Sequence, residues 1–576
     1  MNRYILQRLC LPNEDSLKQI DNLYFNGDAI IEDESLIIES GKVLFNTYFN
    51  SFSIAKWRKY TVISDIYVKI RAKGEYSISI HNAFIKNNEL SDVIISESKA
   101  SGECVLEIPR EVNQGIVFIE FSALSPVHLY SIDYTTSHEP RKIIELAIGI
   151  CTFKREDFVY SNMRHISKHI LSNDESVLNG HLEVFISDNG HTLQKECIQN
   201  SNIHLFTNLN YGGAGGFTRT IIESVFQYPK PFDYIVLMDD DIVLDYQVLE
   251  RTYRLLSFLS DKFDNSMIGG ALIAKETPTI QVENGCLFTA EGEYYKINNN
   301  LDLSDVINVI KNEIESEANY NGWYYCCIPT RIITESNLPL PIFIHYDDVD
   351  YGTRNGFPQI QLGGIAVWHP NTIGKDPLWM SYYNMRNLLI LQSRNNSLSL
   401  RRLLKELVTA FLYVVSYQYG SAEISIMALR DYLKGPTRFR MIDPIKLHQK
   451  LVVYKYINEP LPSDYQLNCV TFSAKSYYLR GFLYMLLPTK NDVVFVPGDS
   501  YMCDTFRYKR IGFVNKVTNT VIYHKKNLKE TRRISRMFIN TVFLLFRRKS
   551  KATKEWHEAY KDMSNLNFWK KYLKLT

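Results

Sequence analysis

The sequence of 576 residues lacks several features that would assign its class at once. No segment reaches the roughly 20 apolar residues that a membrane-spanning helix needs, and residues 1–16 have no continuous apolar stretch of the signal-peptide kind. The nine cysteines are scattered and no CxxC pair occurs, so neither a disulfide framework nor a zinc site is expected. We expect a protein of the reducing cytoplasm that is not an integral membrane protein.

The sequence also lacks an excess of charge of either sign. Its formal net charge is +2 at pH 7, which gives no general attraction to nucleic acid, and nucleic acid is not an expected partner. Hydrophobic residues make up 45% and charged residues 22% of the chain, as in ordinary folded proteins. The length exceeds what one hydrophobic core supports and predicts two to four domains.

Hydrophobic periodicity divides the chain into three parts. Residues 1–140 alternate apolar and polar positions in short stretches, which predicts a β-sandwich with a hairpin turn at Gly74. Residues 141–380 contain nearly continuous apolar strands, such as residues 143–152, that alternate with helical patterns. This pattern predicts an α/β domain with a doubly wound, mainly parallel sheet. Residues 381–576 read as helical and basic.

Polar clusters follow the predicted parallel strands, where ligands bind in sheets of this kind. The sharpest is "LMDDDIVL", in which an apolar strand ends in three acids. Alternate residues of a strand project to the same side, so Asp239 and Asp241 can converge on one ligand. A divalent cation that carries a diphosphate needs such oxygen ligands. A solvated acidic turn is the alternative.

Two further motifs accompany these acids. "NLNYGGAGGFTRTI" has four glycines that allow the backbone to approach a ligand where a helix is predicted to begin, although it matches neither a Walker motif nor GxGxxG. In "AVWHP", His369 follows an apolar segment. Its imidazole could complete a carboxylate-rich metal site or serve a structural role.

A second acidic cluster lies in "FIHYDDVDYGTRNG", where a helix is predicted to begin. Acids in a first helical turn are stabilised by the exposed amides and the helix dipole. That role suits Asp347 and Asp350, but it explains two acids better than three. One acid of this turn is therefore a candidate for proton transfer. His345 is interpreted as a local packing or hydrogen-bonding residue.

The motifs FKR, SDNG, NLNYGGAGGF, MDDD, YDDVDYGTR and WHP, in this order, resemble those of the galactofuranosyltransferases of bacterial polysaccharide assembly. These enzymes belong to the inverting glycosyltransferase family 2. The segments TYFNSFSIAKWRKYT, ALRDYLKGP and SKATKEWHEAY extend the resemblance to both ends of the chain. It implies an α/β protein with a GT-A doubly wound, mainly parallel sheet in residues 141–380. An N-terminal β-sandwich domain (1–140) and a mainly helical C-terminal region (381–576) would flank it.

The resemblance also implies a role for each motif residue. Asp348 matches the catalytic base. The implied metal ligands are Asp239, Asp241 and His369. The implied contacts of the uridine diphosphate are Arg155, Asp188, Asn210, Gly213, Asp239 and Asp240. Contacts to the substrate are expected from Trp323, Asp347 and Trp368.

The implied reaction transfers galactofuranose from UDP-galactofuranose, with inversion and with Mn²⁺ or Mg²⁺, to a hydroxyl of a lipid-linked glycan in polysaccharide or O-antigen assembly. Two alternatives stay open. A metal-dependent sugar nucleotidyltransferase would use a similar sheet and paired aspartates, and a non-catalytic carbohydrate-binding protein would use the β-sandwich and the many aromatic residues. The oligomeric state is open, with a homo-oligomer among the alternatives.

One C-terminal segment suggests contact with a membrane surface. The apolar residues 537–546 are flanked by basic ones: Arg532, Arg533, Arg536, Arg547, Arg548 and Lys549. As a helix this stretch is too short to span a bilayer but could lie on an anionic surface. A core helix with solvated ends is the alternative. The expected location is the cytoplasm, peripheral on the inner face of the bacterial cytoplasmic membrane.

Overall fold

The computed structural model describes the chain except for residues 1–2, 13–16, 18–19, 33, 371–376, 469–489, 499–504, 506–507, 517 and 576. The first part of the chain forms an antiparallel β domain. Its elements are β1 (Tyr4–Arg8), β2 (Asn26–Gly27), β3 (Ile30–Glu32), β4 (Ser35–Ile38), β5 (Gly41–Leu44), α1 (Ile54–Tyr60), β6 (Ile66–Lys86), β7 (Glu89–Ile108), β8 (Ile116–Ala123) and β9 (Val127–Thr136).

Strand β6 organises this domain because it changes partners along its length. Its first half pairs with β9 and its second half with β8, while β7 runs along its other side. The β8 and β9 sides face each other: the Tyr134 hydroxyl donates to the Val117 carbonyl at 3.3 Å, and the Tyr134 ring stacks on Phe52. The prediction of an N-terminal sheet domain is confirmed.

The predicted hairpin turn at Gly74 is wrong. Gly74 lies inside β6, at a bulge where the strand changes partners, with a φ of +117°. A Cβ atom there would lie 2.5 Å from the carbonyl oxygen of Pro126, so glycine is required. The hairpin turns instead at Asn87 and Asn88, which both have positive φ, the conformation that two-residue hairpin loops favour.

An α/β unit follows the β domain. Its elements are β10 (Leu146–Thr152), α2 (Glu156–Ile166), β11 (Leu182–Asp188), β12 (Ile203–Thr207), α3 (Gly212–Ile221), β13 (Tyr234–Asp239), α4 (Tyr246–Phe258), β14 (Met267–Ala274), β15 (Ile280–Glu283), β16 (Cys286–Phe288), β17 (Tyr294–Lys296), β18 (Leu301–Asp302), α5 (Val306–Lys311), β19 (Tyr325–Pro329), α6 (Asp347–Asn355) and β20 (Gln359–His369).

The main sheet of this unit has the order β12-β11-β10-β13-β19-β14-β15-β18, with β20 beside β14. Strands β12, β11, β10 and β13 are mutually parallel, β19 is antiparallel to both β13 and β14, and β20 is parallel to β14. The strand order reverses at β10, since β11 and β13 lie on its opposite sides. Ligands bind at such a switch point. The predicted doubly wound α/β sheet is confirmed, with parallel pairing from β12 to β13 and mixed pairing beyond β13.

The remaining described residues are mainly helical, as predicted. The helices are α7 (Met380–Arg394), α8 (Leu400–Val415), α9 (Tyr419–Arg440), α10 (Pro444–Leu451), α11 (Leu528–Met563) and α12 (Leu566–Tyr572). A four-stranded sheet interrupts them: β21 (Asn458–Pro460), β22 (Lys490–Pro497), β23 (Tyr508–Asn515) and β24 (Thr520–Lys525). The periodicity analysis missed it, although valine-rich residues 493–496 carry its signal. Of the helices in the described ranges, none is both long and apolar enough to cross a bilayer.

Candidate functional site

Parallel register aligns the polar residues that end the central strands. Thr152 of β10 lies opposite Asp188 of β11, and Cys151 of β10 lies opposite Asp239 of β13. Strand β20 runs in the same direction, so its last residue, His369, emerges at the same edge of the sheet. The candidate site lies at this edge.

The three predicted metal ligands lie together. One side-chain atom from each of Asp239, Asp241 and His369 falls within 4.8 Å of the others. The Nε2 atom of His369 is 3.1 Å from an Asp241 oxygen and 3.9 Å from an Asp239 oxygen. Two carboxylates and an imidazole form an oxygen-rich donor set that suits a divalent cation.

The hydrogen bonding of His369 orients its ring for this purpose. Its Nδ1 atom lies 2.7 Å from the Pro370 carbonyl oxygen, which can only accept a hydrogen bond. Nδ1 therefore carries a hydrogen, and in the neutral ring the lone pair is on Nε2. Fixing the ligating nitrogen through a hydrogen bond from the other nitrogen is common at metal sites.

Two acids of the DDD motif, Asp239 and Asp240, have raised pKa values. Burial raises the pKa of Asp239 to about 6; His369 opposes the shift and Asp240 adds to it. Burial also raises the pKa of Asp240. The Arg155 guanidinium forms an ion pair with Asp241 and lies 4.0 Å from Asp240. Clustered carboxylates need such positive charge to stay ionised, so the site favours cations.

Asp188 and Asn210 organise the loops that follow their strands. Asp188 is 1% exposed, and its carboxylate accepts hydrogen bonds from three backbone amides of residues 190–193 at 2.8–2.9 Å. The Asn210 side-chain oxygen accepts from the Gly212 amide at 3.1 Å. Both residues therefore shape the edge of the sheet, and their direct contact with a nucleotide stays a prediction.

The glycine-rich turn forms the N-terminus of α3, as predicted. Gly212 has a φ of +70°, and a Cβ atom on it would lie 2.1 Å from the Phe343 carbonyl oxygen. That carbonyl accepts a hydrogen bond from the Ala214 amide at 3.0 Å. At Gly213, a Cβ atom would lie 3.6 Å from the Asp347 carboxylate. The glycines thus place the positive end of α3 beside the acids of α6.

Asp348 lies in the first turn of α6, which begins where the sequence predicts. Burial raises the pKa of Asp348 to about 7; the Val349 amide opposes the shift, and Glu283 and Asp239 add to it. Burial likewise raises the pKa of Asp347, with Asp348 adding to the effect. A carboxyl group with a pKa near 7 is well matched to general-base catalysis at neutral pH.

The segment that leads into α6 has a strained backbone. Phe343, His345 and Tyr346 have φ values of 79°, 64° and 70°, a conformation that costs about 1–3 kcal/mol for each such residue. Buried Asn387 of α7 holds the segment, because its side-chain amide donates to the carbonyls of Ile344 and His345 at 2.8 and 2.9 Å. Helix α7 therefore fixes where α6 begins, a role that no sequence motif signals for Asn387.

Asp350 lies in the first turn of α6, as predicted, but its nearest charged partners are two arginines that the sequence analysis did not foresee. Its side chain is 0% exposed and lies 3.1 Å from Arg394 and 3.6 Å from Arg354. The carboxylate thus joins α6 to α7 through a buried ion pair. A buried charge of this kind is retained only when opposite charges surround it.

Glu283 is a residue of the site that the sequence analysis missed. It is 6% exposed, accepts a hydrogen bond from the Tyr294 hydroxyl at 2.6 Å and lies 3.2 Å from Lys296. Its charge helps raise the pKa of Asp348. Glu283 follows no motif, and only the pairing of β15 with β14 brings it close to α6.

The two tryptophans predicted to contact substrate are both buried. Trp323 is 5% exposed and packs against Phe217 and Tyr351, with ring centroids 5.3 and 6.2 Å apart. It therefore supports α6 from within. A direct contact between Trp323 and substrate stays a prediction.

Trp368 lies outside the cluster, and its prediction as a substrate contact is wrong. It is 1% exposed, its indole nitrogen donates to the Pro278 carbonyl at 3.0 Å, and its ring lies 5.6 Å from that of Phe49 in the β domain. Adjacent residues of a strand project to opposite faces. Because His369 faces the site, Trp368 faces away from it.

Comparison with known proteins relates the chain to one group of enzymes. Residues 6–136 match the family described as "Galactofuranosyltransferase 2 N-terminal". Over 480 residues the chain is 24% identical to galactofuranosyltransferase GlfT2 of Mycobacterium tuberculosis, covering 75% of this chain and 72% of that protein. It is 22% identical over 472 residues to GlfT2 of Mycolicibacterium smegmatis, covering 75% and 71%.

A solved structure with some likeness is the mannosyltransferase PcManGT from Pyrobaculum calidifontis, in complex with GDP-Man and Mn²⁺. It is 10% identical, covers 55% of this chain and 86% of its own, and gives a TM-score of 0.29. We draw no conclusion from a likeness of that strength.

Proposed function

We propose that this chain, a homologue of the GlfT2 galactofuranosyltransferases, transfers galactofuranose from UDP-galactofuranose to a hydroxyl group of a lipid-linked glycan. One observation carries the proposal: the cluster of Asp239, Asp241 and His369 lies close to the partly buried acid Asp348, whose pKa Asp239 helps to raise. The cluster suits a cation that holds a diphosphate, and Asp348 suits a base that activates an acceptor.

The donor half of the site would hold Mn²⁺ or Mg²⁺ through Asp239, Asp241 and His369. When bound, the cation supplies stabilisation of the charge that develops on the departing diphosphate. Arg155, whose side chain is 46% exposed, is proposed to contact the diphosphate once it releases Asp241. The remaining proposed nucleotide contacts are Asp188, Asn210, Gly213 and Asp240.

The acceptor half would act through Asp348. The acceptor hydroxyl gives its proton to the Asp348 carboxylate as its oxygen attacks the anomeric carbon from the face opposite UDP. The bond between that carbon and the UDP oxygen breaks, UDP leaves with the bonding electrons, and the configuration inverts. Asp347 and Trp323 are proposed to border the acceptor.

Incubating the purified chain with UDP-galactofuranose, Mn²⁺ and a galactofuranosyl disaccharide tests the proposal. We expect UDP release together with a product heavier by one hexose. Release of pyrophosphate from UTP and a sugar phosphate would instead support the nucleotidyltransferase, and glycan binding without turnover would support the carbohydrate-binding protein. Parallel assays with UDP-galactopyranose and UDP-glucose test the donor sugar, and Asp241→Ala serves as the inactive control.

We also propose that α11 contacts an anionic membrane surface. The apolar segment lies in the middle of this helix, and Ile539, Phe543 and Phe546 are 53%, 71% and 63% exposed on one face. Exposed Arg536 and Arg547 flank them. A core helix would bury these apolar side chains. An interfacial helix instead immerses them in the lipid, between basic residues that attract anionic headgroups.

Helix α8 extends this apolar surface. It packs on α11 through Phe411 and Phe538, whose ring centroids are 6.0 Å apart. Its own Leu404 and Val408 are 39% and 40% exposed. Two adjacent helices that both expose apolar side chains form a broader contact than one helix alone, and such patches mark interaction sites.

Sedimentation with vesicles tests the membrane contact. We expect the chain to bind phosphatidylglycerol vesicles more strongly than neutral phosphatidylcholine vesicles, and the double variant Ile539→Glu, Phe543→Glu to lose at least ~10-fold in affinity. Ile143→Glu is the matched control, because Ile143 is 67% exposed in the α/β unit. Equal binding by the double variant and the control would contradict the proposal.

A further inference from the structure

A large cleft separates the N-terminal β domain from the α/β unit. Its volume is about 1040 Å³, at the upper end of the roughly 300–1,000 Å³ of ligand pockets. One wall is formed by β7, β6, β9 and β1. The other is formed by the start of α4 and by the π-helical turn Ser167–Leu171, which continues α2. None of the roles proposed above uses this cleft.

Strand alternation makes the β wall polar. In β6, Val68 and Ile70 are 0% and 1% exposed in the core of the β domain. Lys69 and Arg71 therefore project to the opposite face, where they line the cleft. The sheet thus directs basic side chains into the space between the two units.

A bulge in β1 adds a further cation to this wall. The register of β1 shifts by one residue and sets Arg8 opposite Asp133 of β9, while Lys69 of β6 is opposite Asp133 on its other side. A bulge re-aims a side chain to the other face of its strand. The result is a carboxylate between two basic residues on three adjacent strands.

Two arginines that line the cleft, Arg8 and Arg71, are exposed. Burial raises the pKa of Asp133 even though Arg8, Arg71 and Arg254 lie near it. Within the part of the chain that the structure describes, neither Arg8 nor Arg71 has an acidic partner within 4.0 Å. Each guanidinium offers five N–H donors, which are open to a ligand.

Aromatic rings complete the lining. Tyr130 of β9 is 39% exposed. Tyr246, at the start of α4, stacks on His169 with ring centroids 4.6 Å apart, and both also line the cleft. A tyrosine offers an apolar ring face together with a polar hydroxyl. Such rings suit a ligand that has apolar and polar surfaces side by side.

We propose that this cleft binds a neutral oligosaccharide, namely the glycan chain that the enzyme extends; this assignment rests on the proposed function. The lining carries as many basic as acidic residues: Arg3, Arg8, Lys69, Arg71 and Lys168 against Glu34, Glu103, Asp133, Glu175 and Glu250. The balance gives no net attraction for a polyanion. A polyhydroxyl chain both donates and accepts hydrogen bonds, and it matches such a mixed lining.

The cleft lies at a limited distance from the candidate active site, although no residue of that site lines it. Tyr246 follows Asp241 by five residues, so their Cα atoms are at most about 18 Å apart even along an extended chain. A glycan of several residues is long enough to cover such a distance, and the proposal requires its end to reach Asp348. Retention of the chain in the cleft between additions would favour repeated transfer over release.

Binding of a galactofuranosyl tetrasaccharide to the full chain tests the proposal, with saturation-transfer NMR as readout and no donor or metal present. We expect Arg71→Ala with Asp133→Asn to weaken binding about 10-fold or more, as the loss of charge-assisted hydrogen bonds implies. Lys99→Ala is the matched control, a basic residue of β7 outside the cleft. Tyr130→Ala tests the aromatic contribution separately, and a thermal melt checks that each variant is folded.

The transfer reaction supplies a second readout. The cleft variants should raise KM for a tetrasaccharide acceptor about 10-fold while they leave kcat/KM for a disaccharide unchanged. Tetrasaccharide binding that survives all cleft substitutions, or competition by inorganic phosphate in place of the neutral glycan, would overturn the proposal. A wild-type chain that binds the tetrasaccharide through the cleft but transfers no galactofuranose would overturn the proposed function alone.

Discussion

The donor half and the acceptor half of the candidate site are built in different ways. Asp239, Asp241 and His369 sit at the ends of strands whose register fixes them. Asp348 sits on a helix whose start depends on a strained segment held by Asn387 of α7. The donor half therefore depends on the α/β sheet alone, whereas the acceptor half also requires the C-terminal helices.

The two halves also differ in how charge is managed. Carboxylates of the donor half are partly neutralised by Arg155. On α6, two acids two residues apart have opposite surroundings: Asp350 is enclosed by Arg354 and Arg394, whereas burial raises the pKa of Asp348 to about 7. Asp350 thus has two counter-charges, whereas Asp348 has the raised pKa that the proposed base requires.

Removing a donor-half ligand should give the largest effect. We expect Asp241→Ala to lower transfer at least ~1,000-fold, which corresponds to the several kcal/mol that a bound metal ion contributes to transition-state stabilisation. The fold should survive, because the side chain lies at the edge of the sheet. Steady-state kinetics measures the loss of transfer, and Mn²⁺ titration measures the accompanying loss of metal binding. Full activity of wild type in excess chelator would contradict the metal assignment.

This half was also the most predictable from sequence. Apolar strands that end in acids place those acids at the carboxyl edge, and a period of two fixes which of them converge. The acceptor half was less predictable. Glu283 reaches the site through sheet pairing, and Asp350 is a buried ion pair whose partner, Arg394, is 44 residues away. Contacts between distant segments leave no local pattern.

Breaking the ion pair behind α6 should give the next largest effect. Asp350→Asn leaves Arg394 and Arg354 without their buried counter-charge, and we expect a loss of about 3–5 kcal/mol in the free energy of unfolding. Urea titration measures it. The variant Asp350→Leu, Arg354→Met, Arg394→Met should recover most of the loss, since apolar replacement of a whole buried network is often tolerated. Unchanged stability of Asp350→Asn would show that this ion pair does not stabilise the contact between α6 and α7.

Substitution of Asp348 should lower activity without lowering stability. We expect Asp348→Asn to keep UDP-sugar binding and to reduce turnover at least ~100-fold, the low end of general-base catalysis. In wild type, turnover should fall as the pH drops below about 7, because the base becomes protonated. Normal turnover by Asp348→Asn, with Asp347→Asn inactive, would move the base to the neighbouring acid.

Asp348→Asn should also change the pH dependence of the free energy of unfolding. A folded-state pKa raised above the unfolded value favours folding at low pH, and this contribution is lost as the pH rises through about 7. At pH 8 the ionised Asp348 therefore opposes folding, and Asp348→Asn should be more stable than wild type in urea, with a smaller gain at pH 5.5. This behaviour would be opposite to that of Asp350→Asn.

The smallest effects should come from substitution of the two tryptophans. One lies behind the donor half of the site and the other supports the acceptor half. Trp368→Phe removes a hydrogen bond to Pro278 behind the donor half, and we expect a loss of about 0.5–1.5 kcal/mol in stability with unchanged KM for donor and acceptor. Trp323→Phe loosens the packing on Tyr351 of α6, so it should raise the acceptor KM a few-fold and leave the donor KM unchanged. Kinetics with donor and acceptor varied in turn measure the two KM values of each variant. A donor KM that responds to Trp323→Phe would show that the two halves are not built independently.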